Sequence, residues 1–103
     1  MSLSLIIPVY NEISQLEYPI KKLIKLKKKI NNIEFIFIDD FSTDGSYENI
    51  NKFCKKKSYF KLIKNKKKGL GSAIETGLKK SKLDYVCIFM CDMSDDIKDV
   101  ITY

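Results

Sequence analysis

Acidic side chains follow three apolar segments of this chain, at the point where each segment ends. Glu12 comes shortly after the segment Leu3 to Val9. Asp39 and Asp40 follow the second segment, and Asp92 follows the last one. If the segments are parallel strands of one sheet, their carboxyl ends lie along one edge, where open α/β sheets bind small molecules. The spacing therefore predicts that these four carboxylates converge on a ligand site.

A regular alternation of strands and helices would bring the carboxylates together. Near-continuous apolar runs predict four buried strands, at 3–9, 34–38, 60–63 and 84–91. Apolar residues spaced by three and four predict helices that begin near Ser14, near Ser46 and at the Gly69-Leu70-Gly71 turn. This order predicts an α/β fold with a parallel, Rossmann-like sheet of about four strands and helices on both faces.

The length and the apolar content bound the domain organisation. A chain of 103 residues fits one small domain, which we place at 1–103. No apolar run approaches the roughly 20 residues that a membrane-spanning helix needs, so we expect a cytoplasmic protein. The fourth apolar segment is suited to the middle of a sheet, yet no further strand is predicted after it. We therefore expect the N-terminal part of a longer domain, truncated at its C-terminal end.

The charged and reactive side chains narrow the chemistry. The chain has no histidine, which removes Ser-His and Cys-His nucleophiles and makes a common zinc site improbable. Its three cysteines form no CxxC pair, and we expect packed, reduced thiols. The net charge is +6 and every basic residue is lysine, which disfavours sequence-specific nucleic-acid recognition. We expect the lysine clusters at 27–29 and 55–57 to end helices and to stabilise the helix dipole.

Four motifs resemble those of family 2 glycosyltransferases, in the same order and at similar spacing. They are LIIPVYNE at 5–12, IDDFSTDGS at 38–46, the segment 65–73 and CDMS at 91–94. The resemblance runs from Leu5 to about Val100 and is closest to the dolichyl- and polyprenyl-phosphate sugar synthases. It implies a GT-A fold and a UDP- or GDP-sugar donor. It also implies inverting sugar transfer to an acceptor such as a polyprenyl phosphate or a glycan.

The resemblance assigns the first motif to the nucleotide pocket. Pro8, Tyr10 and Asn11 would line this pocket, with a ring and backbone groups presented to the nucleoside. Glu12 can accept hydrogen bonds from ribose hydroxyls. The alternative for Glu12 is an acid in the first turn of a helix, where it would stabilise the helix dipole.

The second motif carries the pair Asp39 and Asp40. Asp40 matches the family aspartate that accepts a hydrogen bond from the ring imino group of the base, a task that suits an acceptor-only carboxylate. Asp39 could support it from the strand end. For Asp44 in the same motif, we favour the role of a turn or helix-capping residue.

The third and fourth motifs would hold the diphosphate and a metal ion. Lys68, Gly69 and Gly71 come just before a predicted helix, and glycines at a helix N-terminus let backbone N–H groups approach an anion. Alternatively, the two glycines only shape the wall of the pocket. Asp92 matches the last acid of the family's Asp-x-Asp motif, which would bind Mg²⁺ or Mn²⁺ beside the diphosphate. Met90 replaces the first acid of that motif.

Two further expectations concern the activity and the assembly of the whole molecule. In the family, the general base lies beyond the fourth motif, so this chain alone should not transfer sugar. An uncovered fourth strand should favour self-association, and therefore a homo-oligomer. Two other classes of protein were considered. One is a receiver-type signalling domain, in which the acidic pair ends the first strand rather than the second. The other is a noncatalytic basic module for anionic ligands or a membrane surface.

Overall fold

The computed structural model describes residues 3–81 and 85–88. Within these ranges it contains four strands and three α-helices, which alternate along the chain. They are β1 Leu3–Val9, α1 Glu17–Lys29, β2 Ile33–Asp39, α2 Ser46–Lys56, β3 Phe60–Lys64, α3 Leu70–Lys80 and β4 Tyr85–Ile88. A short 3-10 turn, Ile13–Gln15, precedes α1. The predicted alternation of strands and helices is confirmed.

All strand pairs in the sheet are parallel, and the strand order is β3-β2-β1-β4. Leu3 pairs with both Ile33 and Tyr85, so the strands next to β1 begin at the same level. At the other end, Val9 pairs with Asp39, which in turn pairs with Lys64. The loops that follow β1, β2 and β3 therefore leave the sheet along one edge.

The two faces of the sheet pack against different helices. One face contributes alternate residues of the central strands to an apolar layer with α1 and α2, whose members include Leu5, Ile7, Phe35, Phe37, Leu23 and Ile50. The opposite face packs against α3 through a smaller layer of Ile6, Ile36, Ile38 and Ala73. The predicted covering of both faces is confirmed.

Helix α3 lies very close to β1. A Cβ atom added at Gly77 would come within 2.4 Å of Cγ2 of Ile6, so only glycine fits at this contact. The apolar spacing of α3 in the sequence predicts Ala73, Ile74, Gly77 and Leu78 on its packing face, but Leu78 is 49% exposed. The next residue along a helix is rotated by about 100°, and the close approach at Gly77 turns Leu78 away from the sheet.

The start of α1 differs from the sequence expectation. The helix predicted from Ser14 begins at Glu17, because the backbone N–H of Glu12 binds Oγ of Ser46 at the start of α2 and that of Ile13 binds the Asp44 carboxylate in the loop after β2. Pro19 fits the first turn of α1 because that turn needs no donor from it. The fourth strand was predicted to reach Cys91, which lies outside the described residues. No helix in the described part of the chain is both long and apolar enough to cross a bilayer.

Candidate functional site

The loops at the carboxyl edge of the sheet are joined to one another by side-chain hydrogen bonds. We call this edge, formed by residues 10–12, 40–45 and 65–71, the rim. It contains seven of the ten predicted site residues, and Asp39 directly precedes its second segment.

Asp40 ties the loop after β2 to the loop before α3. Its Oδ1 accepts hydrogen bonds from the backbone N of Gly69 at 3.0 Å and from Nδ2 of Asn65 at 3.1 Å. Its Oδ2 lies 3.2 Å from the same Gly69 nitrogen. A carboxylate offers about four acceptor positions, so capacity remains for a further donor such as a nucleobase. Asp40 thus holds the rim together and can still accept a bond from a ligand.

Asn65 is a residue whose importance the sequence did not indicate. It is buried, and its Nδ2 also donates to the carbonyl of Gly69 at 3.2 Å. Its Oδ1 accepts hydrogen bonds from the hydroxyls of Ser72 at 3.1 Å and Thr76 at 3.4 Å. Its backbone N donates to the carbonyl of Asp39 at 2.8 Å. Asn65 therefore joins the ends of β2 and β3 to the first two turns of α3.

Gly69 and Gly71, at the start of α3, differ in their backbone conformation and in the space around them. Gly69 has φ +127°, a conformation that other residues rarely adopt, and it directs the Gly69 N–H toward Asp40. Gly71 lies in the first turn of α3, and a Cβ atom added there would meet nothing within 4 Å. The space beside Gly71 is open, which leaves the helix N-terminus accessible to a ligand.

The loop after β1 is bound to the loop after β2. Asn11 has φ +48°, its backbone N donates to Oγ of Ser42 at 3.0 Å, and its Oδ1 accepts from the N of Thr43 at 2.7 Å. The backbone N of Glu12 donates to Oγ of Ser46 at 3.0 Å. Asn11 is thus a positioning residue of the rim. The acid in the first turn of α1 is Glu17, so Glu12 does not occupy the dipole-stabilising position that we weighed for it.

Asp44 is the turn residue that the sequence predicted. Its Oδ1 accepts hydrogen bonds from the N and the hydroxyl of Ser46 at 3.0 and 2.5 Å, and its Oδ2 accepts from the N of Ile13 at 3.1 Å. The Ser46 hydroxyl, followed by these backbone donors, lowers the pKa of Asp44 below its ordinary value of 3.8. The charged form of Asp44 therefore joins α2 to the 3-10 turn.

Asp39 lies beside a cleft of about 450 Å³ at the outer side of the rim. The residue is only 4% exposed, and its Oδ2 accepts a hydrogen bond from the N of Ser42 at 3.2 Å. Its Oδ1 has no hydrogen-bond donor within the described ranges. The cleft is lined by Asp39, Phe41, Ser42, Thr43, Tyr47, Glu48, Lys64 and Asn65. Asp39 thus contacts the loop after β2, whereas Asp40 contacts the loop before α3.

Tyr10 and Lys68 meet across the mouth of the rim. The Lys68 ammonium lies 5.6 Å from the centroid of the Tyr10 ring, within the range of a cation–π contact. The ring remains 48% exposed, so it offers a flat apolar surface to solvent. Together the two side chains combine a stacking surface with a positive charge.

Three predicted site residues lie outside the rim: Asp39, which directly precedes it, Pro8 and Asp92. Pro8 is buried within β1, where it pairs with Ile38 one residue before the strand ends. Asp92 lies outside the described residues, as does Met90. Across residues 3–81 and 85–88, no group of three or more metal-ligating side chains is present. Asp40 and Asp44, two carboxylates of the rim, are bound to backbone and side-chain donors and do not form a metal site with each other.

Comparisons with known proteins agree on the family. The family described as Glycosyl transferase family 2 matches residues 4–100. A dolichol-phosphate mannosyltransferase of Pyrococcus furiosus is 30% identical over 93 residues, which cover 90% of this chain and 26% of that protein. The chain spans between 12% and 36% of the length of the curated relatives it matches.

Two solved structures share the fold. A mannosyltransferase from Pyrobaculum calidifontis in complex with GDP-Man and Mn²⁺ has a TM-score of 0.78 at 22% identity, covering 87% of this chain and 27% of that one. S. aureus TarS residues 1–349 in complex with UDP-GlcNAc has a TM-score of 0.80 at 23% identity, covering 99% of this chain and 30% of that one.

The parallel sheet, the helices on both faces and these structural neighbours define an α/β domain of the GT-A type. The chain belongs to glycosyltransferase family 2, as its four motifs indicated. The alternative of a receiver-type domain is therefore wrong, since the acidic pair ends β2 and the family match covers nearly the whole chain.

Proposed function

We propose that this domain binds the sugar donor of a glycosyltransferase, a UDP- or GDP-sugar, at the rim. The observation that carries the proposal is the bond between Asp40 and Gly69. It brings the carboxylate that would recognise a base next to the glycine turn that would receive a diphosphate. The loop after β1, with Tyr10 and Glu12, lies at the same edge of the sheet.

Each part of the donor finds a chemically suitable group. The exposed Tyr10 ring can stack on a base, and the remaining acceptor capacity of Asp40 can take the imino hydrogen of that base. Glu12 can accept bonds from ribose hydroxyls. Lys68, the open N-terminus of α3 and Gly71 can attract and approach the diphosphate. This set of groups supports a nucleoside diphosphate sugar as the ligand.

The metal assignment depends on Asp92. In the Pyrobaculum structure a GDP-sugar is bound together with Mn²⁺. When bound, Mg²⁺ or Mn²⁺ supplies positive charge that offsets the charge of the leaving diphosphate. In this chain we assign Asp92 to that ion, because it is the acid that matches the family motif. Asp95 and Asp96 follow it in the sequence, and Met90 in place of the first acid predicts weak metal binding.

The acceptor and the general base are proposed for the whole protein and not for this chain. We propose inverting transfer to a polyprenyl phosphate or a glycan, with the base supplied by sequence beyond this chain. The 103-residue chain alone should bind the donor without transferring sugar. We place the full-length protein in the cytoplasm, at the cytoplasmic face of the membrane.

We also propose that the chain forms a homo-oligomer through β4. The apolar side chains of Val86 and Ile88 in β4 are 38% and 40% exposed. Exposed apolar side chains favour contact with a second chain. Light scattering at rising protein concentration should give a mass above that of the monomer, and a constant monomer mass would contradict the oligomer.

Calorimetric titration tests donor binding and the metal separately. UDP, GDP, ADP and their sugar conjugates are titrated into the chain with and without Mn²⁺. We expect binding of a uridine or guanosine diphosphate that tightens with Mn²⁺. The Asp92→Asn variant should lose the effect of Mn²⁺ while the Asp95→Asn control retains it. Absence of binding by every nucleotide would refute the donor site.

A further inference from the structure

The three helices end at the edge of the sheet opposite to the rim. Each helix runs antiparallel to the strands, because it leaves the carboxyl end of one strand and returns to the start of the next. The last residues of the helices therefore gather near the starts of β2, β3 and β4. Eight lysines lie there: Lys27, Lys28, Lys29, Lys55, Lys56, Lys57, Lys79 and Lys80. We call this group the lysine pole.

Most of the charge of the lysine pole is uncompensated. Within the described ranges only Lys79 has a carboxylate partner, Glu75 at 3.1 Å. Glu34, at the start of β2, pairs with Lys61 at 3.5 Å instead. Lys27 packs partly against the ring of Tyr59, and the other seven lysines are exposed. A concentrated positive field therefore extends from this end of the domain into solvent.

The acids are unevenly distributed between the two edges of the sheet, although the rim also carries Lys66, Lys67 and Lys68. The acids Asp39, Asp40, Asp44 and Glu48 lie at the rim or in the first turn of α2, at the carboxyl edge of the sheet. The lysine pole lies at the amino edge. The negative end of a helix dipole attracts lysines to the last turn of a helix, and this effect acts on each helix separately. Because the topology brings the three helix ends to one edge of the sheet, their lysines combine into one charged surface, near which Glu34 and Glu75 each pair with a lysine.

We propose that the lysine pole docks this domain on an anionic lipid bilayer. Lysine is a compact point charge without the planar fork that arginine uses for phosphate or base recognition, so the surface suits a diffuse array of headgroups. Lysines near an anionic membrane surface each contribute roughly a fivefold gain in partitioning. The chain contains no arginine at all, which makes a nucleic acid the less suitable partner for this surface.

Docking through the lysine pole fixes the orientation of the rim. The seven residues of β1 span about 20 Å between the two edges, so the rim faces away from the bilayer and remains open to water-soluble ligands. Membrane binding and nucleotide binding should then be independent of each other. If the rim binds the donor as proposed, this distance fits a glycan acceptor that extends from the membrane better than a lipid phosphate.

Vesicle co-sedimentation with two matched triple variants tests the proposal. The pole variant changes one exposed lysine on each helix, Lys28→Gln, Lys56→Gln and Lys80→Gln. The control variant removes the same charge nearer the middle of the helices, by Lys21→Gln, Lys25→Gln and Lys52→Gln. The unaltered chain and both variants are mixed with phosphatidylcholine vesicles that contain either no phosphatidylglycerol or about 30% of it. Each mixture is measured at low salt and at physiological salt. A mixed-sequence DNA duplex is titrated in parallel, and UDP and GDP affinity is measured with and without vesicles.

We expect the unaltered chain to bind only the anionic vesicles and to dissociate as salt rises. The pole variant should bind at least tenfold more weakly, and the control variant should lose much less. Equal loss in both variants would show that net charge alone matters and would overturn the proposal. So would absence of vesicle binding, or tighter binding to DNA than to vesicles at the same salt. Nucleotide affinity tests the rim by itself. Absence of vesicle binding would therefore leave the donor site supported, and absence of nucleotide binding would leave the lysine pole supported.

Discussion

The carboxylate of Asp40 accepts hydrogen bonds from the backbone nitrogen of Gly69 at 3.0 and 3.2 Å, although the two residues lie 29 positions apart in the chain. The bond fixes the loop before α3 against the end of β2. Gly69 can make it because its φ of +127° turns the N–H toward the strand end. The proposed recognition of a base and the proposed placement of a diphosphate therefore depend on one connected unit.

Replacing Asp40 with asparagine should loosen that unit. Asparagine retains one acceptor for Gly69, but its own NH₂ group then competes with the NH₂ of Asn65 for space and acceptors. We expect at least a tenfold loss in UDP or GDP affinity, with a loss of about 1–3 kcal/mol in the free energy of unfolding. Calorimetry and urea denaturation measure the two effects.

The control for Asp40→Asn is Glu75→Gln, which removes the same charge from an exposed position on α3. Surface ion pairs of this kind contribute little to stability, so the control should bind nucleotide and unfold like the unaltered chain. Unchanged nucleotide affinity in Asp40→Asn would contradict the role given to this carboxylate.

Asn65→Ala should destabilise the fold more than an ordinary polar substitution. The change leaves the hydroxyls of Ser72 and Thr76 without their acceptor and removes a donor from Asp40. Buried polar groups that lose their partners cost about 1–3 kcal/mol each, so we expect a total loss of about 2–4 kcal/mol in unfolding free energy. Asn51→Ala on α2 is the matched control, and equal midpoints of urea denaturation for the two variants would contradict the prediction.

Gly77→Ala should be destabilising even though alanine is the better helix former by about 1 kcal/mol. The new methyl group would collide with Ile6, whose Cγ2 lies 2.4 Å from the expected Cβ position. We expect a net loss of about 1–3 kcal/mol from overpacking. The double variant with Ile6→Ala should be less destabilised than the sum of the single variants, which a double-mutant cycle measures.

Gly71→Ala is the counterpart to Gly77→Ala in the same helix. Nothing lies within 4 Å of its expected Cβ, so the substitution should leave stability equal or higher. If the open space there admits the diphosphate, nucleotide affinity should nevertheless fall. A stable variant with unaltered nucleotide binding would assign Gly71 to the wall of the pocket.

The pH dependence of stability should report Asp44. Its pKa is lowered in the folded state by the Ser46 hydroxyl and by backbone donors, so its contribution is fully present above its ordinary pKa of 3.8. That contribution is lost as the pH falls from 3.8 through the lower folded value. Asp44→Asn should therefore be less stable than the unaltered chain at pH 7, and the difference should disappear toward pH 2. A difference that stays constant over this range in urea denaturation would contradict the assignment.

The sequence predicted the strands and helices from the periodicity of their apolar residues. The order of these elements then predicted the edge of the sheet at which the candidate site lies. The apolar spacing predicted a helix that begins near Ser46, and α2 begins at that residue. The role of Asn65 could not be predicted, since its bonds depend on how the end of β3 aligns with Asp39 in β2. The binding of Asn11 to Ser42 and Thr43 likewise depends on the distance between two loops, which periodicity does not encode.

Backbone amide chemical-shift mapping tests the central claim most directly. UDP-sugars and GDP-sugars are titrated into isotope-labelled chain in the presence of Mn²⁺. We predict that the largest shifts fall on rim amides such as Tyr10, Glu12, Asp40 and Gly69, while Lys28, Lys56 and Lys80 remain unchanged. Shifts centred on the lysine pole, or no shifts with any nucleotide sugar, would contradict a donor site at the rim.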